Sequence, residues 1–490
     1  MKDGPLQGDD ARLAAMGHRP ELQRSHSTWS MLGLAFAVLN GCSLQDSAIF
    51  VSHVRWLNFS RHIRRKLRHV SFGCKHQAHF LSSFFGRAGG QYHWVAAIAW
   101  PSTVPILSWV TGWINVAGWS YVPQRWHQFL IYIGLTVGSF VINAFMNSIL
   151  PVIYRGAFMW SIGGFVIVSI TCLACASPNY NSAYFVFCDF VNTTGWPDGI
   201  AWLLGLLQGG LGVTAFDAVA HMIEEVPNAE IEGPKIMVSC VGIGVFTGSI
   251  FLIILLFVAG NMEKVATSSA GPLLQILIDA TKSNTGAICL LMLPLVCLVF
   301  AIISVMTTSS RMIFAFARDG GLPASRFFAK VHPTLKLPLN ALILSVVVVI
   351  AFGCIFLGST SAFNAIISAS VVALDLSYGI PIAINCLQGR RSLPERKWKL
   401  PSALGWFVDS VALSYIALTT VLFVFPPSST VTGSSMNYCI AAFAVIIIIS
   451  VFQWFVDGRK NFTGPRTDIT LDALDTMPTR EEFDPNMHEK

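Results

Sequence analysis

Ten stretches of this chain are long enough and apolar enough to cross a lipid bilayer, and most of them hold no charged residue. They lie near residues 104 to 122, 128 to 150, 156 to 177, 199 to 223, 236 to 260, 286 to 310, 338 to 358, 363 to 387, 405 to 425 and 437 to 456. A spanning helix needs about 20 such residues. In hydrocarbon every backbone N–H and C=O must be satisfied within the segment, so runs of this length without the alternation of a barrel strand read as helices. The fold class expected is an all-α polytopic membrane protein. Composition agrees: 53% of the residues are hydrophobic and 12% charged, against about 25% charged in an average soluble domain. Of the eleven cysteines, those at 172, 175, 240, 289, 297, 354 and 439 lie inside apolar runs and read as small buried hydrophobes. There is no zinc-spaced cysteine pair, phosphate loop or hydrolase motif, so no enzyme activity, metal, cofactor or nucleic-acid partner is expected.

Loop charges set the orientation. Lysine and arginine cluster at 311 to 336, 390 to 399 and after 458, while the alternate loops at 178 to 198, 359 to 362 and 426 to 436 contain none. The positive-inside rule places the basic set in the cytosol. Residues 1–27 and 458–490 are then cytosolic tails around a membrane domain at 28–457. Asn192, in the sequon Asn192-Thr193-Thr194, faces outside, as a used glycosylation site must. The domain has an irregular start. Only about 12 residues from Thr28 are free of strong polar groups before Asn40, Gln45 and Asp46, and residues 53–87 are basic and histidine-rich. A central Arg or Lys costs about 2.5 to 3.5 kcal/mol in a spanning helix, so that segment is not expected to cross. The count is about 11 membrane segments, one crossing short of what the two cytosolic termini require. Residues 28 to 50 are therefore expected to be a re-entrant or surface helix, unless a helix is missing.

One run differs from an anchor. From Gly205 to Asn228 the chain reads GLLQGGLGVTAFDAVAHMIEEVPN. Glycines at 205, 209, 210 and 212 invite a break, and Asp217 and His221 stand at membrane depth. The backbone groups freed at such a break need a cavity, water or a ligand, and secondary transporters place substrate there. Ionisable residues at that depth are functional candidates, although a glycine-kinked structural helix has the same composition.

Several motifs then resemble one superfamily. VMTTSSRMIFAFARDGGLP (305–323), FDAVAHMIEEVPNA (216–229), HPTLKLPLNA (332–341), AGGQYHW (88–94), WVTGWINVAGW (109–119) and GPLLQI (271–276) are together similar to the amino acid/polyamine/organocation (APC) permeases of the fungal amino acid, choline and 4-aminobutyrate (GABA) type. The resemblance covers about Ala88 to Arg466. It implies an APC/LeuT-like inverted-repeat bundle of 12 helices working by alternating access, from which the second helix and part of the third are here missing or replaced. It also implies a substrate site at two unwound segments, Leu39-Asn40-Gly41 and Gly212-Val213-Thr214-Ala215. Main-chain amides there would hold a carboxylate and main-chain carbonyls an ammonium. Phe216 would be an aromatic gate, adding about 0.5 to 2 kcal/mol of cation–π attraction.

Asp217 would face the ammonium or hold a coupling proton. Thr307, Thr308 and Ser309 are candidates for a cation site, unless they bond back to their own helix. Glu224 and Glu225 would latch onto Arg311 and Arg318 in one conformation. Asp375 is a coupling site or a chance polar residue facing the bundle interior. No lysine lies inside a span, which removes one way of substituting a fixed ammonium for the ion; the resemblance implies proton coupling, with Na⁺ as the other ion. The function implied is proton-driven import of an amino acid or related amine such as GABA across the plasma membrane, the vacuolar membrane being the other location. The alternatives are choline transport and a truncated, non-transporting paralogue or mis-spliced gene product. A nutrient sensor is disfavoured, because only 33 residues follow position 457 and sensors carry a sizeable signalling domain.

Overall fold

The computed structural model describes residues 22, 24–39, 100–110, 125–190, 192, 194–211, 214–268, 271–391, 400–426, 428–431, 436–462 and 464. Among them there are helices and no strands. The main ones are α1 (Thr28–Leu39), α2 (Arg125–Phe145), α3 (Leu150–Ala176), α4 (Asp198–Leu211), α5 (Ala218–His221) and α6 (Ala229–Val258). They continue with α7 (Pro272–Thr281), α8 (Asn284–Arg318), α9 (Leu339–Gly358), α10 (Thr360–Leu387), α11 (Ser402–Leu422) and α12 (Cys439–Gln453).

Eight of the described segments are long and apolar enough to cross a membrane: α2, α3, α6, α8, α9, α10, α11 and the run Cys439–Gly458. Two of the ten expected spans are not among these eight. The run at 104 to 122 is described only to Val110, and the run at 199 to 223 is not one helix. Residues Arg55–Ile131 form a compact unit of their own by their contacts, and the rest of the chain a second; all that follows concerns the second.

In that unit α8 is the central member and packs against α3, α5, α7 and α9. Its start is set by Ser283, whose hydroxyl accepts the N–H of Gly286 at 3.2 Å, satisfying one of the orphan donors of a helix N-terminus. Polar groups cross-link it to its neighbours where hydrocarbon offers no other partner. The Trp160 indole on α3 donates to the Leu293 carbonyl at 3.0 Å, and Asn143 on α2 donates to the Ile303 carbonyl at 3.2 Å. The outward faces carry large apolar side chains such as Ile446, Ile448 and Ile449, each more than about a third exposed. With no water to exclude between helices in lipid, such faces meet acyl chains at no cost.

The short helix α1 is not on the surface. Met31, Leu34, Ala35, Val38 and Leu39 are all buried, packed with Leu150 and Tyr154 of α3, Ala218 and Val219 of α5, Ile236 and Cys240 of α6 and Ile303 of α8. The surface-helix alternative is therefore excluded for Thr28–Leu39, while Asn40 to Phe50 lie outside the described residues. A reciprocal cap starts α1. The Ser27 hydroxyl accepts the Ser30 N–H at 3.3 Å, and the Ser30 hydroxyl accepts the Ser27 N–H at 2.8 Å, a capping box with serine in place of the usual glutamate. Gly33 sets the depth of packing, since a Cβ there would collide with the backbone carbonyl of Tyr154.

Candidate functional site

The apolar run that should form one span is in two pieces. Helix α4 ends at Leu211 after 14 residues, residues 214–217 form a turn, and α5 resumes at Ala218 for one helical turn. Ala215 has a φ of +66°, in the left-handed region that alanine rarely adopts. A helix cannot pass through such a residue. Gly212 and Val213 lie outside the described residues, as do Asn40 and Gly41. Leu39 is the last residue of α1 and is buried. The strain at Ala215 persists only because its surroundings hold it, as local strain commonly does at functional sites.

The three residues after the turn's start carry the chemistry. Thr214 is buried, and Ala215, Phe216 and Asp217 are half-buried. The Phe216 ring lies 5.0 Å from that of Tyr378 on α10, inclined by 39°. Asp217 has both oxygens engaged. Tyr378 donates its hydroxyl proton to Oδ1 at 2.7 Å, and His221 Nε2 is 3.1 Å from Oδ2, one helical turn on. Two aromatic faces and a carboxylate therefore meet beside an interrupted helix, a set suited to a small organic cation. Asp375, three residues before Tyr378 on α10, is buried and accepts from the Thr419 hydroxyl of α11 at 3.3 Å.

The hydroxyl run of α8 does not converge. Thr307 donates a single proton toward the Ile303 carbonyl or Asn143 Oδ1, so Tyr154, 2.6 Å away, donates to it. Thr308 bonds back to the Ser304 carbonyl at 3.0 Å. Ser309 faces Ser345 on α9 at 3.1 Å. The three point to three different neighbours, in the back-bonding and cross-linking pattern of hydroxyls in membrane helices.

At the end of α8 the acidic pair after α5 meets the two arginines. Arg311 Nε donates to Glu225 Oε1 at 2.9 Å, with both side chains almost wholly buried. Arg318 holds Glu224 in a fork, at 2.6 and 3.2 Å. Arg311 also reaches Asn147 Oδ1 at 3.2 Å. Glu225 has a second partner as well, with His26 Nε2 3.3 Å from Oε2 and the His26 ring stacked on Tyr154 at 5.6 Å. Burial by itself would push the Glu225 carboxyl up. The Arg311 charge and then the His26 contact outweigh it and hold the carboxyl at about 2. Asn192, in the sequon, donates to the Trp196 carbonyl at 2.7 Å and to Asp198 Oδ1 at 2.8 Å.

A sequence profile described as amino acid permease matches residues 77–452, more than half of the chain. The chain belongs to the amino acid permease family. This permease is 32% identical to a Macrophomina phaseolina protein assigned as an amino acid/polyamine transporter, over 76% of this chain and 88% of the other. It is 30% identical to the choline transporter of Saccharomyces cerevisiae, over 94% and 86% of the two chains, and 27% identical to an amino-acid permease of Arabidopsis thaliana, over 95% and 97%. The last alignment runs over 512 residues, more than the 490 of the permease itself. That relative therefore carries residues with no counterpart here.

Sequence reasoning passed over Tyr378, His26, Asn143 and Tyr154. Tyr378 left a faint signal, being a phenol inside an apolar run three residues after Asp375. His26 left none, standing among the polar residues that precede the first apolar run.

Proposed function

We propose that this permease is a secondary active transporter that imports an amino acid or related amine such as GABA by alternating access, coupled to the proton. Membership of the permease family supports the class. The observation that carries the site is the interruption of the α4–α5 run at Ala215, with the Phe216 and Tyr378 rings in contact beside it. In this reading the ammonium lies over the aromatic pair and against main-chain carbonyls of Gly212, Val213, Thr214 and Ala215, and a carboxylate meets amides of Leu39, Asn40 and Gly41. Glu224–Arg318 and Glu225–Arg311 close the α8 end and part when that end opens. The charge bias of the loops supports cytosolic termini, and the plasma membrane is the proposed location.

Choline is the second reading. A relative 30% identical carries that name, and a quaternary ammonium needs aromatic faces and a carboxylate but no amides. Counterflow in vesicles reconstituted with the full chain decides between the two. Preloading with unlabelled solute should drive entry of labelled GABA, and not of labelled choline, if the amides of the first break bind a carboxylate. Entry of choline alone would reverse the order. Entry of neither, nor of any of the standard amino acids, would remove the transport reading.

A further inference from the structure

The Asp217, His221 and Tyr378 cluster does more than line a cation site. Both Asp217 oxygens are already hydrogen-bonded, one to Tyr378 and one to His221, and among the described residues no lysine or arginine bonds to Asp217. The imidazole is thus the one partner of this carboxylate that can become positive. His26 and His332 lie in connecting segments and His127 in the first turn of α2, so His221 alone stands in the interrupted run. Imidazole is also the side chain that ordinarily exchanges a proton near neutral pH.

We propose that Asp217, His221 and Tyr378 form the site where the permease takes up and releases its coupling proton, with His221 as the group that changes charge. This rests on the transport reading above. Nε2 faces the Asp217 carboxylate and carries the proton of the neutral ring, so the incoming proton binds at Nδ1. The His221 side chain is 31% exposed, and among the described residues its imidazole makes no hydrogen bond besides that to Asp217. The proton leaves from the same nitrogen after the site has turned to the other side of the membrane. Without it the pair has a net charge of −1, and with it the pair is neutral. Tyr378 steadies the carboxylate in both states.

The charged groups on the elements packed against α5 are engaged elsewhere. Arg311 and Arg318 of α8 bond to Glu225 and Glu224. On α6, Glu232 meets Lys235 and Thr28, and Glu230 lies in the same first turn. On α10, Asp375 stands near Tyr378 and takes the Thr419 hydroxyl. Tyr154 of α3 is held by Thr307.

The neighbouring cation site gives the charge change its direction. Phe216, the aromatic face for an ammonium, directly precedes Asp217, and its ring lies against that of Tyr378 at 5.0 Å. A protonated His221 repels a bare cation there, whereas the carboxylate of a zwitterion, held at the first break, draws the positive charge toward it. Proton and GABA should therefore bind cooperatively, and proton and choline competitively, each effect being reciprocal.

The test is proton movement with solute, read by a pH dye trapped inside vesicles bearing the full chain. In the unmodified protein a proton should enter with labelled GABA, or move against labelled choline. His221→Gln should reduce proton movement per solute by about tenfold or more, and lower counterflow, which needs no net proton, far less. Tyr378→Phe keeps the ring on Phe216 and removes only the hydroxyl. It leaves Asp217 more basic, so His221 holds its proton more tightly and the pH profile of uptake should shift upward. That second variant decides the matter if His221→Gln fails to fold. Unchanged proton movement in His221→Gln, an unshifted profile in Tyr378→Phe, or net solute uptake without any proton movement in the unmodified chain would overturn the proton site and leave the transport reading standing. Absence of counterflow in the unmodified chain would overturn both.

Discussion

Glu225 shows how much depends on single side chains in this bundle. Its carboxylate is almost wholly buried and satisfied by two side chains from distant parts of the chain, Arg311 and His26. Breaking such a pair leaves an uncompensated buried charge, which costs about 3 to 5 kcal/mol. Glu225→Gln should therefore lower the thermal midpoint of the detergent-solubilised protein by several degrees, and Arg311→Lys should lower it too, because an ammonium cannot reproduce the Nε contact and the reach to Asn147. The pH dependence has a definite sign. Folding depresses the Glu225 carboxyl from 4.5 to about 2. Its stabilisation is therefore fully present above about pH 4.5 and is lost as pH falls toward 2. Thermal midpoints should show no loss from this group between about pH 7 and 5 and a decline below about pH 4, and Glu225→Gln should lack that acid decline. A decline of equal size in both proteins would rule out this assignment. Phe216 is the second residue with a sharp expectation: Phe216→Ala should impair uptake, while Phe216→Tyr, which keeps the aromatic face, should retain most of it.

At the scale of elements the decisive feature is the turn between α4 and α5. Ala215 at φ +66° favours glycine, because a side chain in that region costs about 1 kcal/mol or more. Ala215→Gly should leave uptake intact or raise the thermal midpoint slightly, whereas Ala215→Val should lower expression and uptake together. Equal tolerance of both would mean that the turn is not held in this conformation. Gly33 makes the same kind of demand between α1 and α3. Its Cβ would strike the Tyr154 carbonyl, so Gly33→Ala must push the two helices apart.

The sequence made the break legible because glycines cluster before an aspartate in an otherwise uncharged run. It made the Glu224, Glu225, Arg311 and Arg318 set legible because charges at helix ends stand out against apolar spans. The partners stayed hidden. Tyr378 and Asp217 are 161 positions apart, and which phenol meets which carboxylate is settled by how α10 packs beside α5. The depth of α1 was hidden for a similar reason: 12 apolar residues fit a surface helix and a buried half-helix equally well, and only the helices around it decide.

At the scale of the whole molecule, this is a helical membrane protein of the amino acid permease family, built around α8, and the proposed seat of a small amine is over the Phe216 and Tyr378 rings beside the interrupted α4–α5 run. Its most direct test is equilibrium binding of labelled GABA and labelled choline to the purified full chain, repeated with the Phe216→Ala variant. The account predicts saturable binding of at least one of the two, displaced by its unlabelled form and weakened about twofold or more by the substitution, as expected for the loss of about 0.5 to 2 kcal/mol of aromatic attraction. Saturable binding of the same strength in both proteins would contradict it.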